Sequence, residues 1–306
     1  MLSLSTSYHI NKFPGWQDLL AETKKLGFKN LELNVEVTEA VLREALRSVE
    51  NGEIGISSLH NYCPRLENLP RGRSIYSGYI LNSDDDDERK LAVEHTRRTI
   101  DWAARLGAKA VVMHLGEVNT GNAGRELGNY VRQFGRGGML YKKYWEVFVK
   151  AREERAPGYL EKLMRSLDDI LPFAADKGIK LGMENRFYYH EMPNIEELSV
   201  LFEKYPGAPM GYWHDTGHAE MFVRQGWVKE HADFLKPFAG RMIGLHLHDL
   251  RGLSDHFAPG SGDFEFKNIL PFALDAPLRI VEAHAKATPE EVRNSITYLA
   301  SRGISG

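Results

Sequence analysis

The chain has 306 residues, of which 42% are apolar and 26% charged; this is an ordinary globular composition, and an α/β barrel can use such a length for one domain. Its net charge of −3 supplies no global field for nucleic acid or an anionic membrane, and no apolar run approaches a transmembrane length. A single cysteine, Cys63, excludes an internal disulfide, and the start of the chain lacks a basic segment leading into an apolar core, so no signal peptide and a cytoplasmic location are expected.

In chain order, short buried strands are predicted over Leu2–Tyr8, Asn30–Asn34, Ile54–His60, Ala108–Leu115, Ile179–Asn185, Met210–Asp215, Met242–His248 and Leu278–Ala283. Helical patterns fall between them at Trp16–Leu26, Thr38–Val49, Glu88–Leu106, Leu160–Asp176, Glu196–Lys204, Trp227–Phe238 and Pro289–Ser301. Strands alternating with helices imply parallel strands joined by right-handed crossovers, and eight such strands favour a closed (β/α)8 TIM barrel spanning residues 1–306 as a single domain. A weak repeat agrees: Gly27, Gly107 and Gly178 each stand between a helix and the next strand, where a left-handed cap is needed.

The loops are lopsided. Connections entering strands are short, whereas several leaving strands are long. Pro64–Asp87 carries Arg65, Arg71 and Arg73 and ends in the acidic run Asp84–Asp87, which is expected to cap the next helix. The excursion Glu117–Pro157 after the fourth strand is locally basic, with a helical look through Tyr141–Arg155; it is either a solvated rim insertion or a lid over the mouth.

Chemistry gathers at the strand ends. The third strand ends at His60, the fourth at His114, and the fifth at Glu184-Asn185-Arg186. The sixth ends at Asp215 with His218 one turn later, the seventh supplies His246 and, through a Gly-rich loop, His256, and the eighth ends at Glu282. In a parallel barrel these ends share one face, so imidazoles and carboxylates from six strands would crowd one small volume. A divalent cation resolves the desolvation cost of such a set, and mixed His/carboxylate donors suit Zn²⁺, Mn²⁺ or Fe²⁺ better than Ca²⁺.

These motifs, SLHNYCP, VVMHLG, MENR, HDTGH, HLHD, DHFAPGSG and VEAH, resemble the xylose-isomerase-like TIM-barrel superfamily, which includes sugar isomerases and epimerases and the endonuclease IV enzymes. The resemblance covers nearly the whole chain outside the excursion. It implies that Glu184, Asp215, His246 and Glu282 form the single-metal site of the isomerases and epimerases, and that His60, His114, His218 and His256 add most of a trinuclear zinc set. It departs at one place: the endonuclease pattern has Asp two residues before its last His, where this chain has Ser254, with Asp255 beside it.

The resemblance carries two expectations of function. The first is a divalent-metal-dependent isomerase or epimerase of a small sugar or sugar phosphate, holding one to three Zn or Mn ions. There proton transfer through a metal-stabilised enediolate would use Glu184 and Glu282 as the catalytic pair. The second is an endonuclease IV-like zinc phosphodiesterase acting on abasic DNA. Near-neutral charge, Ser254 and the absence of a basic stripe weigh against the second. Arg186 shares parity with Glu184 and is expected to meet a substrate phosphate or carboxylate, or else a neighbouring acid; His248, further out than His246, is expected to touch ligand residues or substrate. Glu32, near the end of the second strand, could orient a ligand histidine from behind. By alternation His214 should face away from the mouth, while His95, His190 and His231 are expected at the surface and Trp213, Tyr188, Tyr189 and Phe257 in the core or cavity wall. A carbohydrate partner, no membrane and a possible homo-oligomer complete the expectations.

Overall fold

The computed structural model describes residues 1–69 and 73–304; Arg71 lies outside them. Strands β1 (Leu2–Ser5), β2 (Asn30–Leu33), β3 (Gly55–His60), β4 (Ala110–Met113), β5 (Lys180–Glu184), β6 (Met210–Asp215) and β7 (Met242–Leu247) are joined by β10 (Leu278–Val281). All eight pair in parallel and close in the order β1-β10-β7-β6-β5-β4-β3-β2. Between β7 and β10 a small antiparallel pair, β8 (Asp249–Arg251) and β9 (Ser254–Phe257), stands outside the barrel. The closed (β/α)8 barrel is the fold expected.

Helices α1 (Trp16–Leu26), α2 (Glu39–Glu50), α3 (Asp86–Arg105), α4 (Asn122–Phe134), α5 (Gly138–Asp176), α6 (Ile195–Lys204), α7 (Thr216–Arg224), α8 (Ala232–Leu235), α9 (Leu270–Ala273) and α10 (Pro289–Ala300) accompany the strands. Their starts are written in capping residues. Thr38 accepts from Val41 N–H, and reciprocal capping boxes pair Asn194 with Glu197 and Thr288 with Glu291. The Asp84–Asp87 run does cap α3, with the Asp85 carboxylate accepting from the amides of Asp87 and Glu88. Gly27, Gly107 and Gly178 take φ of 95°, 69° and 67°, the left-handed turn that sends each helix into the next strand.

Inside the barrel, Trp213 is the floor under the site. Its ring lies where a Cβ on Gly182 or Gly244 would come within 2.7 or 2.2 Å, and Ala110, Val112, Leu278 and Ile280 pack around it. The small residues of β5 and β7 therefore make room for one large plug.

Several boundaries differ from expectation. Several strands stop one to three residues early, as where Thr6–Tyr8 turn out of the sheet into a 3₁₀ turn, while β3 and β6 end where expected. The excursion is a helical hairpin: α4 runs out, and α5 returns as one helix of 39 residues, about 58 Å long, instead of beginning at Leu160. Pro157 and Pro172 both lie inside α5; each removes one amide donor without ending the helix. Trp227–Phe238 is mostly turns around the four-residue α8, while α7 begins directly at the end of β6, where HDTGH turns from strand to helix. His231 is buried, not at the surface, because it packs on His214 from outside the barrel.

Candidate metal centre

His246, fully buried, stands at the centre. Its Nε2 lies 3.1 and 3.2 Å from the two oxygens of Glu32, and Glu32 in turn accepts from the Ser58 hydroxyl at 2.8 Å. Nδ1 points the other way, 2.7 Å from Glu184 Oε1, 3.0 Å from Glu282 Oε2 and 3.6 Å from Asp215 Oδ2. With Nε2–H donated to Glu32, the Nδ1 lone pair faces three carboxylates, acceptor against acceptors. Only a proton or a metal ion between them reconciles that arrangement. Burial pushes His246 down, but Glu282 and Glu32, with the bonds to Asp215 and Glu184, hold it well above the usual imidazole range. Burial raises Glu184 and Asp215, and the surrounding imidazoles overcome it and hold both well below the usual carboxylate range. Three anionic oxygens and one imidazole nitrogen within 4.8 Å of one another are the donor set a divalent cation takes, so the residues fit such an ion.

The supports of each donor explain the motifs. Asp215 caps α7 by accepting from His218 N–H at 2.7 Å, and its own backbone is bound on both sides by the Asn185 amide. His248 Nδ1 accepts from the His256 amide at 2.9 Å; Nε2 therefore carries the hydrogen and donates to Asp215 Oδ1 at 2.9 Å. That tautomer makes His248 an orienting group for Asp215. In HDTGH, Thr216 clamps the His248 backbone, and Gly217 is needed because a Cβ there would lie 2.0 Å from His248 Cε1.

Three further groups of donors flank or overlap the quartet among the described residues. His60, His114 and Glu184 form one; His218, Asp255 and His256 form another; and Asp215, His248, His256 and Glu282 also converge. His60 gives Nδ1–H to the Asn61 carbonyl and His218 gives its own to the Asn185 carbonyl, so Nε2 is the ring nitrogen each turns away from that bond. Burial, then His114, pushes His60 down to about 4, so it stays a neutral donor. Asp255 thus joins His218 and His256 despite Ser254 standing at the endonuclease position. His256 has φ of 56°, which breaks the strand's alternation so that Asp255 and His256 reach the same side, 3.0 Å apart. Burial lowers His256, while Asp255 and Glu282 push it up to about 10.

Arg186 is nearly buried, its guanidinium 2.6 Å from Glu184 Oε2 and 2.8 Å from Glu191 Oε1. It lines the cavity while paired with both acids, and burial of Glu191 is outweighed by Arg186, which holds that carboxyl at about 2. Glu191 and His284 went unassigned in the sequence. His284 shares strand parity with Glu282, a usable signal, and stacks on His256 at 3.8 Å; Glu191 sits in an irregular loop with no periodicity to mark it. His214 faces outward, bonded to Tyr212 and His231. The cavity above the centre measures about 150 Å³, walled by Asn34, Tyr76, His114, Arg186, His256 and His284.

The chain is 24% identical over 236 residues to the uncharacterized protein y4fM of Sinorhizobium fredii, 76% of this chain but only 63% of that protein, so it spans less than two thirds of that relative's length. A D-tagatose 3-epimerase-like protein superposes with a TM-score of 0.69 at 19% identity, over 98% of this chain and 96% of its own. The D-psicose 3-epimerase of Clostridium cellulolyticum H10, solved with D-tagatose, gives 0.67 at 11% identity, over 100% and 99%. At such identities the likeness shows the fold. The model of the xylose isomerase-like TIM barrel family matches residues 20–301, and the chain belongs to that family.

Proposed function

We propose that the protein is a divalent-metal-dependent isomerase or epimerase of a small carbohydrate. The observation that carries the reading is His246 Nδ1 facing Glu184, Asp215 and Glu282 at the foot of a cavity of about 150 Å³. That space admits part of a small polyol and is well below the usual size of pockets for larger ligands. The epimerase structures of the same fold support the substrate class by analogy.

Glu184, Asp215, His246 and Glu282 would hold the ion, which when bound polarises adjacent carbonyl and hydroxyl oxygens and acidifies the carbon between them. The protein's own groups then move the proton. Glu184 and Glu282 approach His246 Nδ1 from β5 and from the end of β10, so a substrate carbon between them has a carboxylate on either side. One takes the proton and the other delivers it. Arg186 and His114 hold Glu184 Oε2 at 2.6 and 2.9 Å, and His256 Nε2 lies 3.7 Å from Glu282 Oε2, which keeps both acids oriented and ionised.

The test pairs elemental analysis of protein purified without chelators with solvent-deuterium exchange into a panel of ketoses and their phosphates, followed by NMR. Exchange at a carbon beside the carbonyl supports the reading; its absence across the panel sinks it. One observation favours the alternative zinc phosphodiesterase: Asp255 completes a third donor group with His218 and His256. Two or three ions per chain with cleavage of an abasic oligonucleotide would establish that alternative.

A further inference from the structure

Beside the metal cavity, a second and larger hollow of about 900 Å³ lies under the α4–α5 hairpin. Three loops line both spaces. The loop after β3 puts Tyr76 on the cavity and Arg73 on the chamber; the segment after β4 does the same with His114 and Glu117, and that after β5 with Arg186 and Tyr188. The chamber therefore adjoins the mouth across these loops, and its size is that of a ligand pocket.

Its charges are unevenly satisfied. Each acid on the wall has partners: Asp84 has Lys162 and Tyr159, Asp85 has the first amides of α3, and Glu117 has Arg73 and His190. The arginines of α4 and the turn after it do not share in this. Arg125, Arg132 and Arg136 meet only the neutral side-chain amides of Asn122, Asn129 and Gln225, and no carboxylate pairs with them among the described residues. Arg125 and Arg132 are seven apart on one helix face, which Gly121, Gly124 and Gly128 keep free of bulk. Across from them the wall is aromatic. Trp145 of α5 stacks on Trp227 at 5.1 Å and 9°, with Tyr189 edge-on, so the hairpin is fastened to the barrel and the chamber is preformed.

We propose that this chamber binds an oxyanion, phosphate or carboxylate, carried at the far end of the carbohydrate whose reacting carbon lies at the metal centre. The inference rests on the isomerase reading and narrows its substrates to anionic sugars. Guanidinium forks match the geometry of both oxyanions, and three without carboxylate partners supply the charge that the near-neutral chain otherwise lacks.

The experiment titrates the metal-loaded protein by calorimetry, at about 0.15 M ionic strength, with fructose, fructose 6-phosphate and fructuronate, which differ only at carbon 6. At least one anion binds wild type about tenfold or more tightly than fructose. The ratio falls to near one in the triple variant Arg125→Gln, Arg132→Gln, Arg136→Gln and is partly restored when the same three become Lys. Whichever anion is preferred separates phosphate from carboxylate. The proposal is overturned if neither anion outbinds fructose, or if the preference survives in the Gln variant, which would place the anion on the ion or on Arg186. The three arginines are exposed, and the Lys variant controls for folding. Deuterium exchange on the same sugars separates the two ideas. Exchange without anion preference removes the chamber and keeps the isomerase; arginine-dependent preference without exchange keeps an anion site and removes the isomerase.

Discussion

His246 and His214 stand on neighbouring strands, one residue out of register, and face opposite sides of the barrel wall: Asp215 pairs with His246 and His214 with Leu245. Both are fully buried. Inside, His246 meets Glu32, Glu184, Asp215 and Glu282, and is held well above the usual imidazole range. Outside, His214 bonds Tyr212 and His231, and burial followed by the charge of His231 holds it well below that range. Burial is common to the two, so burial alone does not make a functional histidine. What separates them is how many carboxylates the barrel turns toward the ring.

The largest test of that difference removes a carboxylate without changing its shape. Glu282→Gln keeps volume and one ligand oxygen but abolishes the base, so exchange should fall by about a hundredfold or more while most of the metal stays bound. Deuterium incorporation by NMR and elemental analysis on the same preparation check it; unchanged exchange would move proton transfer elsewhere.

The same comparison explains what could be read in the chain. Strand period, Gly turns and polar residues at strand ends placed Glu184, Asp215, His246 and Glu282 together, because alternation is enforced wherever a sheet is buried on both faces. Alternation likewise sent His214 outward. It does not reach the loop that carries Asp255 and His256, where the left-handed φ of His256 puts Asp255 on the inner side, and it has nothing to say about Glu191, which lies in an irregular loop. Pro157 was misleading as a boundary: an interior proline costs a hydrogen bond, yet α5 has enough length on either side to run through it. His231 was placed wrongly since its burial depends on a tertiary partner, His214, that no local pattern reveals.

A smaller effect should follow from disturbing a support instead of a donor. Gly217→Ala places a methyl 2.0 Å from His248 Cε1, and the ring must leave its bond to Asp215. Asp215 would keep its cap on α7 but lose its orienting partner. Metal affinity should drop by about 10–100-fold, the range for outer partners of metal ligands, as measured by competition with a chromophoric chelator. Wild-type affinity in this variant would mean that His248 does not orient Asp215.

The smallest effect belongs to the outward histidine and is confined to stability. His214→Gln gives up well-formed bonds to Tyr212 and His231, and should cost about 1–2 kcal/mol at pH 7.5, with metal content unchanged. Its signature is the pH dependence of that gap. Because the folded state depresses His214, the unfolded chain binds its proton first, at about pH 6.5, and folding must expel it. The stability that neutral His214 lends is therefore complete above about pH 6.5 and is lost as pH falls toward its lowered folded value, by up to about 1.4 kcal/mol per pH unit. Glutamine has no such proton. Denaturant unfolding of the two proteins should show a gap that narrows between pH 7 and pH 5, even though the other buried histidines titrate in both. A constant gap would mean that His214 is not held neutral, and the contrast with His246 would then rest on geometry alone.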